Sequence, residues 1–123
     1  MREELDDLIY QRYPSLFGAR SQPESGMAWG FTCGDGWFDL IDTLCNEIQC
    51  WTADGSMPPV TVVQVKEKFG SLRFRYRGGD EQTRGMVRMA EAMSTRLCEE
   101  CGAPGTFVGI MTRCKTHALD GAH

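Results

Sequence analysis

An α+β fold is predicted, with helices packed on one face of a small antiparallel sheet and a Cys/His-rich module at the C-terminal end. Three observations predict it. Apolar residues recur at helical spacing in three stretches, near residues 3–13, 36–50 and 81–96. The stretch 60–77 instead alternates around a Gly-Ser pair, as a hairpin does. Four side chains of metal-ligating type close the chain between residues 98 and 117. With 123 residues, 41% hydrophobic and 24% charged, the chain has ordinary proportions for one globular domain. Residues 1–97 are expected to form the α+β core, with residues 98–123 packed on it as a module.

The first helix is read from Leu5, Leu8, Ile9 and Tyr13, and Pro14 ends it. Residues 18–30 are rich in Gly, Ser and Pro and read as an irregular connection. The second helix presents Trp37, Leu40, Ile41, Leu44, Cys45 and Ile48 on a wide apolar face, with Asp35 as its expected N-cap. Trp29 and Trp37 flank its start as core anchors, and TADGSMPP breaks it.

For VTVVQVKEKFGSLRFRYR a hairpin turning at Gly70-Ser71 is expected, because Gly suits the first position of a type II′ turn. That register sets Phe69 opposite Leu72, Glu67 opposite Phe74 and Val65 opposite Tyr76. The other face then pairs Lys68 with Arg73, Lys66 with Arg75 and Gln64 with Arg77. Like charges placed opposite one another destabilise a sheet, so these five cations call for anions. The acidic first helix (Glu3, Glu4, Asp6, Asp7), a partner protein or a nucleic-acid backbone could supply them; water alone is the plain alternative. After the hairpin, Asp80 is placed as the cap of the third helix, whose stripe of Met86, Met89, Ala90 and Met93 reads as core.

The last motif is CEECG followed, after eleven residues, by CKTH. Cys98, Cys101, Cys114 and His117 thus form two ligand pairs, each separated by two residues, which suits a tetrahedral zinc ion. Gly102 supplies the positive φ with which the turn can aim amides at the thiolates. Four protein ligands leave no position for water, so a structural zinc is expected, with a helix opening at the second pair. Cys33, Cys45 and Cys50 match no ligand spacing and read as packing residues.

Other signals are weaker. Asp35, Asp39 and Asp42 could suggest acid–base chemistry, but helix-start anions explain them as well, and no His or Lys stands near them in sequence. The GDG and GGD triplets continue into no phosphate-loop pattern. The net charge of −4 divides into −6 for residues 1–50 (three bases, nine acids) and +2 for residues 51–123 (ten bases, eight acids). That balance argues against strong nonspecific nucleic-acid binding while leaving room for a local basic patch. Arg96, Arg113 and Lys115 flank the ligands and could offset thiolate charge. No run approaches a membrane span, and the N-terminus lacks the pattern of a secretion signal, so a cytoplasmic location with reduced thiols is expected.

CGDGWFDLIDTLCNEIQ, VVQVKEKFGSLRFRYRGGDE, CEECGAPG and CKTHA together resemble a group of small bacteriophage and prophage proteins, over about residues 13–118. GDGWFDLI, VKEKFGSLRF and the Cys₃His set are its most specific parts. The resemblance implies no catalytic residues. It implies a role by context: small accessory phage proteins bind, inhibit or redirect host machinery, defence systems included. The expected function is therefore a non-enzymatic protein of the host cytoplasm that binds a host protein through Lys66, Lys68, Arg73, Arg75 and Arg77. A nucleic-acid-binding regulator using the same face, and a small hydrolase-like enzyme with carboxylates near the metal, are the alternatives.

Overall fold

The structure is a computed structural model that describes residues 1–18, 27 and 30–121. The expected connection over 18–30, Trp29 included, falls outside the described residues except for Gly18, Met27 and Gly30. The architecture is α+β. Helix α1 (Glu3–Arg12) ends before a single 3-10 turn at Pro14–Leu16, as the proline requires. A second 3-10 turn, Asp35–Trp37, leads into α2 (Phe38–Ala53). Strands β1 (Val60–Lys68) and β2 (Ser71–Gly78) pair antiparallel, and α3 (Glu81–Ser94) follows. A second two-stranded sheet, β3 (Thr106–Val108) with β4 (Met111–Arg113), precedes α4 (Lys115–Gly121).

One apolar core joins these elements. Ile9 of α1, Trp37, Ile41 and Ile48 of the second helical segment, and Val62, Val65 and Leu72 of the hairpin are all removed from solvent. Tyr10, Phe17 and Phe31 stack beside it with ring centroids 5.2–5.7 Å apart, the spacing aromatic pairs favour. A bulge between Val62 and Gln64 reverses the alternation of β1, which lets Val60, Val62 and Val65 all face inward.

Both edges of the hairpin are covered, which removes the exposed pairing groups that make sheet edges a hazard. On the β1 side, Thr32 donates to the Val65 carbonyl at 3.1 Å and accepts from the Glu67 amide at 3.0 Å. On the β2 side, α3 caps the strand with side chains: Ser94 Oγ accepts from the Leu72 amide at 2.9 Å and Glu91 from the Phe74 amide at 3.0 Å. The α3 N-terminus carries the expected Asp80 cap, completed into a capping box by Thr83.

Several expectations need correction. The hairpin turns at Phe69-Gly70, one residue earlier than expected, with φ of 54° and 81°. Two positive φ values define a type I′ turn, which follows the right-handed twist of its strands. Glu67, the one acid on the inner face, accepts from the Gly70 amide at 2.7 Å and holds that turn. Each strand residue keeps its face, but the partners change: Glu67 opposes Leu72 and Val65 opposes Phe74. Phe69 leaves the inner face and is 62% exposed. Asp35 does not cap α2; its carboxylate accepts from the Arg2 amide at 2.8 Å and pairs with the Arg2 guanidinium. The inner face of α3 is Thr83, Val87, Ala90 and Ser94, while Met89 and Met93 are exposed along a groove against α2. Cys33 and Cys45 are buried as packing residues, but Cys50 is exposed.

Candidate metal centre

Tight local turns build the Cys/His cluster. The Cys98 carbonyl accepts from the Gly102 amide at 2.7 Å and closes a knuckle around the first ligand pair, with Gly102 at a φ of 82°. The chain then runs through β3 and β4 to Cys114. There the Ala118 amide donates to the Cys114 carbonyl at 2.8 Å and opens α4, which carries His117 in its first turn. The module is therefore a knuckle, a hairpin and a helix, and the second ligand pair opens the helix as expected, with Cys114 just before it and His117 in its first turn.

Cys98, Cys101, Cys114 and His117 bring one ligand atom each within 4.8 Å of one another. Cys101 and Cys114 sulfurs are 3.7 Å apart. His117 Nδ1 is 3.4 Å from the Cys98 sulfur and 3.2 Å from the Cys114 sulfur. Tetrahedral coordination with metal–sulfur bonds of about 2.3 Å and metal–nitrogen bonds of about 2.0 Å requires edges near 3.8 Å and 3.5 Å. The four donors thus lie close enough to hold one metal ion, with Nδ1 as the facing nitrogen. All six cysteines are free thiols.

Backbone amides prepare the sulfurs for charge. Burial pushes the Cys98 thiol up, but the amides of Cys114, Cys101 and Glu100 outweigh it and leave the thiol below its ordinary range. The His117 amide chiefly brings Cys114 down to about 6. The Ala103 amide pulls Cys101 down, yet desolvation and the neighbouring Cys114 and Cys98 sulfurs leave it raised. Hydrogen bonds that the protonated ring donates to the Cys114 and then the Cys98 sulfur raise His117. By contrast, burial pushes Cys33 up to about 12 and Cys45 higher still, which keeps both neutral.

Polar anchors seat the knuckle on the core. Trp37 Nε1 donates to the Leu97 carbonyl at 3.0 Å, and the Gly36 amide donates to the Glu99 carbonyl at 2.7 Å. Glu99 is the hub. One carboxylate oxygen accepts from the Gly34 amide at 2.8 Å, and the other meets Arg113 at 3.3 Å, both side chains being only 11% exposed. The GDG triplet has its explanation here: a Cβ on Gly36 would lie 2.2 Å from the Cys98 carbonyl oxygen, and one on Gly34 would lie 2.3 Å from that of Glu99. The pattern read as no phosphate loop is the seat of the knuckle. Arg113 is committed to Glu99 and Glu100 and does not serve as a free counter-charge to the thiolates. Glu99 itself had no signal in sequence, since its neighbour Glu100 in the same CEEC is exposed.

The three aspartates separate. Asp42 binds Arg12 at 3.0 Å and accepts from the Tyr13 hydroxyl at 2.7 Å. Asp35 and Asp39 line a cleft of about 660 Å³ that reaches Cys101 and Glu100.

The five hairpin cations do share the outer face, but only Lys66 and Arg73 stand directly opposite. Lys68 faces Ser71, Gln64 faces Arg75 and Thr61 faces Arg77. Among the described residues none of the five forms an ion pair, and Lys68 Nζ lies over the Phe69 ring, 5.8 Å from its centroid. The acidic first helix does not neutralise them; Asp6, for one, accepts from the Phe31 amide at 3.3 Å. Among the described residues no helix is long and apolar enough to cross a membrane. Comparison with protein-family models, curated proteins and solved structures finds no match to this chain.

Proposed function

We propose that this chain is a non-enzymatic, phage-type accessory protein that binds a host protein in the cytoplasm and inhibits or redirects it, a defence system being one such target. Its metal is zinc in a structural role. Three sulfurs and one imidazole are the donor set zinc prefers, and four protein ligands leave no coordination position for a substrate or water. The observation that carries the binding reading is the outer face of the hairpin: Lys66, Lys68, Arg73, Arg75 and Arg77 project from one small sheet without an ionic partner among the described residues. Such a strip speeds encounter with an acidic surface and selects against basic ones. Reversing Arg73 and Arg75 to Glu tests it. Both side chains are exposed, so the double variant keeps its metal and melting temperature while losing capture of the partner from host lysate. Undiminished capture by the folded variant overturns the reading.

A nucleic-acid-binding regulator is the second reading, favoured by aromatic rings at Phe69 and Phe107, 62% and 56% exposed, beside the same cations. It predicts duplex affinity falling with salt at a log–log slope approaching about −4 to −5 if all five cations neutralise phosphates. The acidic total charge of −4 weighs against it.

A further inference from the structure

We infer that the adjoining tips of the two hairpins are the apolar anchor of a docking surface, and that its occupant is an acidic segment of a partner protein carrying an aromatic or branched aliphatic side chain. This deepens the proposed host-protein reading and rests on it.

Hairpin turns favour Gly, Asn and Asp, for backbone reasons and because they face water. Each tip here pairs its glycine with a large apolar residue, Phe69 in one and Ile110 in the other. Phe69 sits at a φ of 54°, a left-handed conformation that a bulky side chain adopts at a cost, and it remains 62% exposed. The fold gains little burial from it in return. In the second turn Gly109, at a φ of 68°, takes the left-handed position, and Ile110 beside it is also 62% exposed. The first tip rests on the strands of the second hairpin: Thr112 Oγ1 of β4 donates to the Gly70 carbonyl at 2.7 Å, and the Phe107 ring of β3 covers the space beside Gly70. Val108 and Met111 extend the exposed apolar surface along β3 and β4.

The occupant follows from what borders this surface. Lys68 leans over the Phe69 ring, so the cationic strip, unpaired among the described residues, begins where the apolar tip ends. An apolar centre with a charged rim is the anatomy of a protein interface, with the rim setting the sign of the partner. A second copy of this chain is disfavoured, because a two-fold contact through this surface would bring the cationic strips together. Phe69 and Phe107 could stack on bases, but Ile110, Val108 and Met111 could not, and the net charge of −4 disfavours a phosphate backbone.

The test selects binders from a display library of random peptides on the whole zinc-loaded protein, then measures the winners against variants. Enriched peptides should combine Asp or Glu with Trp, Phe, Leu or Ile. Phe69→Asn and Ile110→Ser should each weaken them about tenfold or more, as loss of a central anchor does, with no fall in melting temperature or zinc content. If the peptides lose binding to Arg73→Glu/Arg75→Glu but keep it with both tip variants, the basic face stands and the tip inference falls. Peptides indifferent to all these variants, or no enrichment at all, overturn both. A single-stranded oligonucleotide that displaces the peptides at lower concentration than they bind overturns the choice of a protein segment.

Discussion

The hairpin-and-helix core and the C-terminal module are held by different forces. In the core, Trp37, Ile41, Ile48, Val62, Val65 and Leu72 are fully enclosed. At roughly 1.5–3 kcal/mol for each large apolar side chain buried, such a region holds itself together. The module from Cys98 onward has no comparable interior: Phe107, Val108, Ile110 and Met111 are exposed, and Cys98, Glu99 and Thr112 are its buried residues among those described. Four donor atoms close enough to hold a metal ion, and a few polar anchors, stand there in place of apolar burial. A short segment that cannot enclose a core can still take one shape when a metal fixes its ends and backbone groups seat it on a neighbour.

The largest effect that distinguishes the regions is metal removal. Structural zinc contributes on the order of 10 kcal/mol to small metal-folded domains, so a chelator should strip amide protection from residues 98–121 in hydrogen exchange while the β1–β2 amides stay protected. Simultaneous loss in both regions would show one cooperative unit and break the contrast. Next comes Trp37→Ala, which empties the core and removes the Leu97 hydrogen bond; it should cost about 3–5 kcal/mol in urea denaturation and loosen both regions.

Arg113→Met tests the polar seat alone. It strands the Glu99 carboxylate in a nearly buried position with only the Gly34 amide, and should cost about 3 kcal/mol, read as faster exchange in the module before the core responds. The smallest effect has the opposite sign. Phe69→Asn relieves a left-handed phenylalanine and should raise stability by about 1 kcal/mol in thermal unfolding. A fall in stability would mean that Phe69 serves the fold.

The same contrast explains how much could be read from sequence. Helices α1, α2 and α3 and the β1–β2 hairpin announce themselves through periodicity, because a burial-driven region writes its faces into the chain. The Cys/His cluster is equally legible, since its spacing follows from turn geometry. What failed depends on contacts between distant segments. The turn lies at Phe69-Gly70 because Glu67 and Thr112 hold Gly70 there, and no rule about local turn residues places a phenylalanine at positive φ. Asp35 looked like a cap because Arg2, its partner, is far away in sequence. Glu99 could not be told from Glu100 until the loop at Gly34–Gly36 was seen beneath it. Met89 and Met93 share the helical stripe of Ala90, but α2 does not cover them.

X-ray absorption at the metal edge of the purified protein tests the central claim most directly. One zinc per chain should appear with three sulfurs at about 2.3 Å, one imidazole nitrogen at about 2.0 Å and no oxygen neighbour. A metal-free protein whose module keeps its amide protection, or a zinc carrying a water or carboxylate oxygen in place of one of these donors, would contradict it.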